Sequence, residues 1–114
     1  MNDRTVGNYL KTHRKRAGMS QRELGLLIGY KNEEQVSRHE RSKTAPPLLI
    51  ALAYEIIFRV PVSAVFTGLH SNVSQMVEDN LFAFEQQLQN RRERNPHTKA
   101  TAQKLQWLAK RNTP

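Results

Sequence analysis

Five of the six residues from Glu33 to Arg38 carry hydrogen-bonding side chains: Glu33, Glu34, Gln35, Ser37 and Arg38. Val36 alone is apolar. A carboxylate accepts, a guanidinium donates in a fork, and an amide or hydroxyl does both. Such a set suits recognition of a polar surface rather than bond making. The usual catalytic arrangements are missing. The four histidines, at 13, 39, 70 and 97, are scattered, and none has a partner at metal-ligand spacing. Glycines are isolated, so no loop can cradle a phosphate. Ser20 and His39 lack the context of an activated nucleophile. No enzyme activity, metal or cofactor is expected.

The elements that must hold these side chains are legible around them. Ser20 and Glu23 have capping-box spacing, and Leu24, Leu27 and Ile28 follow on one helical face. Gly29 can end that helix. A second start is read at Asn32, with Gln35 three residues on and Val36 as its apolar anchor. A helix, a tight turn and a short polar helix follow the plan by which proteins enter the major groove of DNA.

Over roughly Val6 to Phe66 the sequence resembles the Cro/phage-repressor type of helix-turn-helix regulators. The matching residues are Gln21, Leu24 and Gly29, then Ser37, Arg38 and Glu40, then Pro47. The run from Ala53 to Phe58 and the run from Val60 through Phe66 also fit. Gly25 stands where the family usually has Ala, which weakens a helix by about 1 kcal/mol. His39 stands where an apolar residue or Tyr is usual, and is expected to pack, partly buried. The resemblance implies an all-α, five-helix, lambda-repressor-like bundle, and the residues beyond it read as a C-terminal helical extension. It implies that Arg14 pairs with Glu40, partly buried, tying the first helix to the third. It places Gln21 on a DNA phosphate, aided by the N–H groups of its helix terminus. Lys31, Arg41 and Lys43 flank the motif as further phosphate contacts. By family position the base readers come from Glu33, Glu34, Gln35, Ser37 and Arg38, with Glu34 favoured over Glu33. Arg38 can donate twice to guanine, Gln35 can pair with adenine, and a carboxylate can accept from cytosine N4.

The rest of the chain frames this unit. A first helix is expected from about Arg4 to Ala17, with Val6, Leu10 and Ala17 on one face and Gly18 as its end. Lys11, Arg14, Lys15 and Arg16 lie opposite, either solvated or on phosphates. Pro46 and Pro47 introduce a helix whose apolar face reads Leu48, Leu49, Leu52, Ala53 and Ile56. After Arg59-Val60-Pro61, a short helix with Val62, Val65 and Phe66 should stop at Gly68. The helix-turn-helix domain is therefore read over 1–69 and the extension over 70–114, with a boundary at His70-Ser71-Asn72.

In the extension, Val73, Val77, Leu81, Phe84 and Leu88 recur at spacings of 4, 4, 3 and 4. That stripe, on a helix over 73–94, must be buried, either against a second copy or within the chain. Asn95-Pro96 breaks it, and Thr98 can cap a last helix over 98–112. Leu105, Leu108 and Ala109 share one side of it, and Trp107 is expected to pack. From Gln86 onward seven Lys and Arg face one acid, Glu93. This tail is either a second phosphate-binding surface or a solvated face.

The net charge of +8 favours polyanionic partners. No cysteine is present, so there are no disulfides. The polar start MNDRTVGNYLK lacks the look of a leader, and the longest apolar run, Leu48 to Tyr54, is too short for a membrane. A cytoplasmic protein with no membrane partner is expected. The combined expectation is a homodimeric repressor that binds an inverted repeat in double-stranded DNA. The alternative is an antitoxin or other module whose long helix and tail grip a protein partner while the helix-turn-helix autoregulates.

Overall fold

The computed structural model describes residues 7–114. These are all-helical, with no strand among them. In order they form α1 (Leu10–Arg16), α2 (Gln21–Leu27), α3 (Glu34–Glu40), α4 (Leu48–Phe58), α5 (Val62–Val65), α6 (Thr67–Arg94) and α7 (Lys99–Arg111). The chain divides into two compact units between Asn72 and Val73, a point inside α6. Gly68 does not stop a helix, and His70-Ser71-Asn72 is helical rather than a break. His70, Ser71 and Asn72 each disfavour a helix by only about 0.7 kcal/mol or less, too little to interrupt it.

The first unit is built on Leu10, Leu24, Val36, Tyr54, Val65 and Phe66, all buried in one cluster. Met19, Ile28, Ile50, Ile57, Phe58, Val60 and Val62 close around it. The first helix begins later than its apolar pattern suggests. Val6 and the start near Arg4 lie outside the described residues, and 7–9 are not helical. Asn8 explains the late start. Its Oδ1 accepts from Leu10 N at 3.0 Å, the local bond of an Asx turn. Its Nδ2 donates to His39 O and Ser42 Oγ, at 3.0 and 2.9 Å. Tyr9 N donates to Val65 O, and Gly68 N to Gly7 O, so this segment is stitched across the end of α5.

Two features fix the angle between α2 and α3. Gly29 takes φ 96°, open to glycine at little cost, and turns the chain after α2. At Gly25, a Cβ would sit 2.5 Å from the Asn32 carbonyl oxygen, closer than packed atoms come. Glycine is thus required where the family has alanine. The helix weakening of about 1 kcal/mol is offset by the close crossing it permits. Leu24 is buried and Ile28 half-buried, but Leu27 is exposed, contrary to the face read from the sequence.

The α4 face also differs from the expected one. Leu48, Leu49 and Ile56 are 74%, 80% and 74% exposed, and Leu52 is exposed as well. Ala51 and Tyr54 point inward, with Ile50, Ile57 and Phe58 beside them. The segment LLIALAYEIIF is apolar nearly all round, so its pattern selects no face. The polar pair selects it: Tyr54 Oη lies 2.8 Å from His39 Nδ1 in the interior, and the rings meet edge to face at 5.8 Å. His39 is fully buried, further in than the partial burial expected of it.

In the second unit α6 and α7 are joined through the break at Asn95-Pro96. Leu88, Leu108 and Thr101 are buried, and Leu81, Phe84 and Leu105 half-buried. Arg111 donates to Glu78 at 2.7 Å, joining the last turn of α7 to α6. This bond holds the exposed Glu78 carboxyl below its ordinary range. Trp107 is exposed and does not pack as expected, and Ala109 is exposed too.

Two outcomes follow. Gly25→Ala gains about 1 kcal/mol of helix propensity but forces an overpacking that costs about 1–3 kcal/mol. The variant should therefore show a lower urea midpoint than the wild type. Burial lowers the His39 pKa from its ordinary 6.5. Above 6.5 both folded and unfolded chains are neutral there, and stability is full. As pH falls below 6.5 the unfolded chain takes the proton more readily, so stability falls. Urea midpoints should drop from pH 8 to pH 5, and His39→Tyr should remove most of that slope.

Candidate nucleic-acid interface

The site begins with how α3 is held. Arg14 and Glu40 form an ion pair whose side chains are 8% and 2% exposed. Arg14 Nε donates to Glu40 Oε2 and Nη2 to Oε1, the latter at 3.2 Å. Nη1 donates to Met19 O at 2.9 Å. Gln21 Nε2 donates to Glu40 Oε1 at 2.9 Å. One carboxylate therefore joins α1, α2 and α3. Charge-assisted bonds of this bidentate form fix orientation as well as distance. Gln21 Nε2 carries two hydrogens, so the bond to Glu40 leaves one for an outside acceptor.

Local capping sets the ends. Ser20 Oγ accepts from Glu23 N at 3.0 Å, and Glu23 Oε1 accepts from Ser20 N at 2.8 Å. This is the reciprocal capping box read from the sequence. For α3 the sequence start at Asn32 is early by two residues, since the helix begins at Glu34. Asn32 still serves it: Oδ1 accepts from Glu34 N at 2.9 Å.

With Val36 and His39 turned inward, the remaining side chains of α3 face outward or lie at the rim. Glu33, Glu34 and Arg38 are exposed, and Gln35 and Ser37 are half-buried. Arg38 and Glu34 form an i,i+4 pair at 3.5 Å, with side chains 45% and 63% exposed. A pair so exposed contributes only about 0.3–0.5 kcal/mol, so either partner is readily given up. Lys31 precedes the helix, and Arg41 and Lys43 follow it, all exposed. Arg41 Nε donates to Ser37 O at 3.3 Å, and Lys43 N donates to Arg38 O at 2.9 Å. The structure thus brings Gln21, Arg14 and Glu40 together beneath α3, and sets Glu34, Gln35, Ser37 and Arg38 on it with cations at both ends.

Among the stripe residues Val73, Val77, Leu81, Phe84 and Leu88, only the first two are exposed. Leu88 is closed inside the second unit and is unavailable to a second copy. Asn8 is a residue that the sequence reading passed over, although it carries α3 by its C-terminal carbonyl. An Asn two residues before an apolar helix start is the signal that would have found it. Tyr54, the partner of His39, gave no signal within an apolar run. Burial, then the nearby Tyr30 and Glu40 charges, push its hydroxyl well above the usual range, so it stays protonated.

No helix of the described residues is long and apolar enough to cross a membrane. No group of three or more His, Cys, Asp or Glu among them is placed to hold a metal ion. A family model described as helix-turn-helix matches residues 10–65, the span from α1 to the end of α5. A comparison with curated proteins finds no match.

Glu40→Ala would leave Arg14 buried without its counter-charge. The expected loss of stability is about 3–5 kcal/mol. Gln21→Ala, which removes one hydrogen bond from the same carboxylate, should cost about 1 kcal/mol. Urea denaturation of both variants beside the wild type measures the ordering.

Proposed function

Through residues 10–65 the chain belongs to the helix-turn-helix family of DNA-binding regulators, of the Cro/phage-repressor type, and from that premise we propose that it is a sequence-specific repressor acting as a homodimer on an inverted repeat. The observation that carries this reading is the division of α3. Val36 and His39 anchor it in the core while Glu34, Gln35, Ser37 and Arg38 remain for base edges.

In the proposed complex, Lys31, Arg41, Lys43 and the second hydrogen of the Gln21 amide hold phosphates. These contacts set register and carry little sequence information. Arg38 donates to a guanine and Glu34 accepts from a cytosine amine. Two acids near a polyanion reject bases that offer only acceptors there. Dimerisation places two such helices about 34 Å apart, one duplex turn. Its seam is the exposed Val73 and Val77 with Met76 beside them and the half-buried Leu81 and Phe84.

A second reading has one observation in its favour. The exposed Leu48, Leu49, Leu52 and Ile56 of α4 are a separate apolar face from the stripe on α6. Apolar patches of this kind mark interaction surfaces. In that reading the protein is an antitoxin-like module that binds a protein partner and autoregulates. Light scattering of the purified chain discriminates: a stable dimer favours the first reading, and a monomer that co-purifies with a second protein favours the other.

Enrichment of duplexes from a random pool tests sequence preference itself. Against the enriched duplex at fixed salt, Arg38→Ala should lose about 1–3 kcal/mol of binding and relax preference at one base pair. Lys43→Gln should weaken all duplexes alike and make the salt dependence shallower. No enrichment over the random pool removes the reading.

A further inference from the structure

The second unit contains a concavity that the reading of α3 does not use. It lies where the end of α6 meets the start of α7 and has a volume of about 470 Å³. Arg91, Arg94 and Lys104 line it, with Asn95, Thr98 and Thr101. No acid lines it. Three cations held at one hollow repel one another, and none of them is in an ion pair within the described residues.

Two further observations point to an occupant. Thr98 stands at the N-cap of α7, yet no side chain caps that helix. Its first N–H groups are therefore left for an outside acceptor, at the positive end of the helix dipole. Thr101 is 5% exposed and lines the same hollow, and its hydroxyl has no hydrogen-bond partner within the described residues. Buried hydroxyls are nearly always paired, so an orphan of this kind calls for an acceptor. An acceptor that also carries negative charge answers all three observations. A tetrahedral oxyanion offers several oxygens, enough for the guanidinium forks, the lysine, the hydroxyl and the amides together.

We propose that this concavity is a phosphate-binding site, independent of how α3 is used. The shared chemistry is a phosphate group, either a backbone diester of nucleic acid or a free phosphate. It gives the basic tail a defined place of action rather than a diffuse solvated charge.

Amide NMR of the full chain tests this, with inorganic phosphate, chloride at matched ionic strength, and a short duplex of unselected sequence. Saturable shifts of the Lys99, Ala100 and Thr101 amides with phosphate, absent with chloride, are expected. Movement with the duplex, competed by phosphate, assigns the diester; movement with phosphate alone assigns the free ion. The double variant Arg94→Gln, Lys104→Gln should weaken binding by about tenfold or more, since each loses a charged contact. Thr101→Val should weaken it less, and Arg38→Ala should leave it unchanged while losing α3-dependent preference. The proposal is overturned if phosphate and chloride give the same shifts and the duplex gives none. It is equally overturned if the double variant binds as the wild type does. Circular dichroism of each variant establishes that the helices are retained.

Discussion

Everything in the first unit depends on one carboxylate. Glu40 ends α3 and receives bonds from Arg14 of α1 and Gln21 of α2. A carboxylate with almost no solvent contact must be fully paired, or its desolvation is uncompensated. That requirement makes the three helices mutually exclusive of other arrangements. Hydrophobic burial of Leu10, Leu24 and Val36 would tolerate sliding by a turn, but the bidentate Arg14 contact does not. Asn8 and the Gly25–Asn32 crossing add constraints of the same kind, short and directional.

The core then divides its work. Apolar side chains supply the driving force, and a few polar pairs decide which faces turn in. The clearest case is α4. Leu49 and Ile56 are as apolar as Ile50 and Ile57, and transfer energy alone does not separate them. The bond between His39 and Tyr54 does, because a buried imidazole and phenol need each other. This puts Tyr54 inward and leaves Leu48, Leu49, Leu52 and Ile56 facing out.

Legibility in the sequence follows the same division. Signals written in local chemistry were readable: the Ser20–Glu23 box, the turn at Gly29, the polar run after Glu33, the break at Asn95-Pro96. The ordered set from Gln21 to Phe66 carried the family resemblance, and the helix-turn-helix match over 10–65 agrees with it. Faces chosen by distant partners were not readable. Nothing in LLIALAYEIIF marks Tyr54 as special without His39 beside it. The continuity of α6 through this stretch was hidden because Gly68, Ser71 and Asn72 are weak helix formers close together. The stripe ending at Leu88 called for burial without saying against what, and Leu88 is closed within the second unit.

On the proposed reading, the loose pairing of Glu34 with Arg38 has a kinetic consequence. If α3 reads base pairs, a mismatched stretch leaves the two side chains paired with each other, their charges already satisfied. Such encounters would be brief, and the search would move on. At a matching stretch both would find new partners together, and only there would the dwell time lengthen.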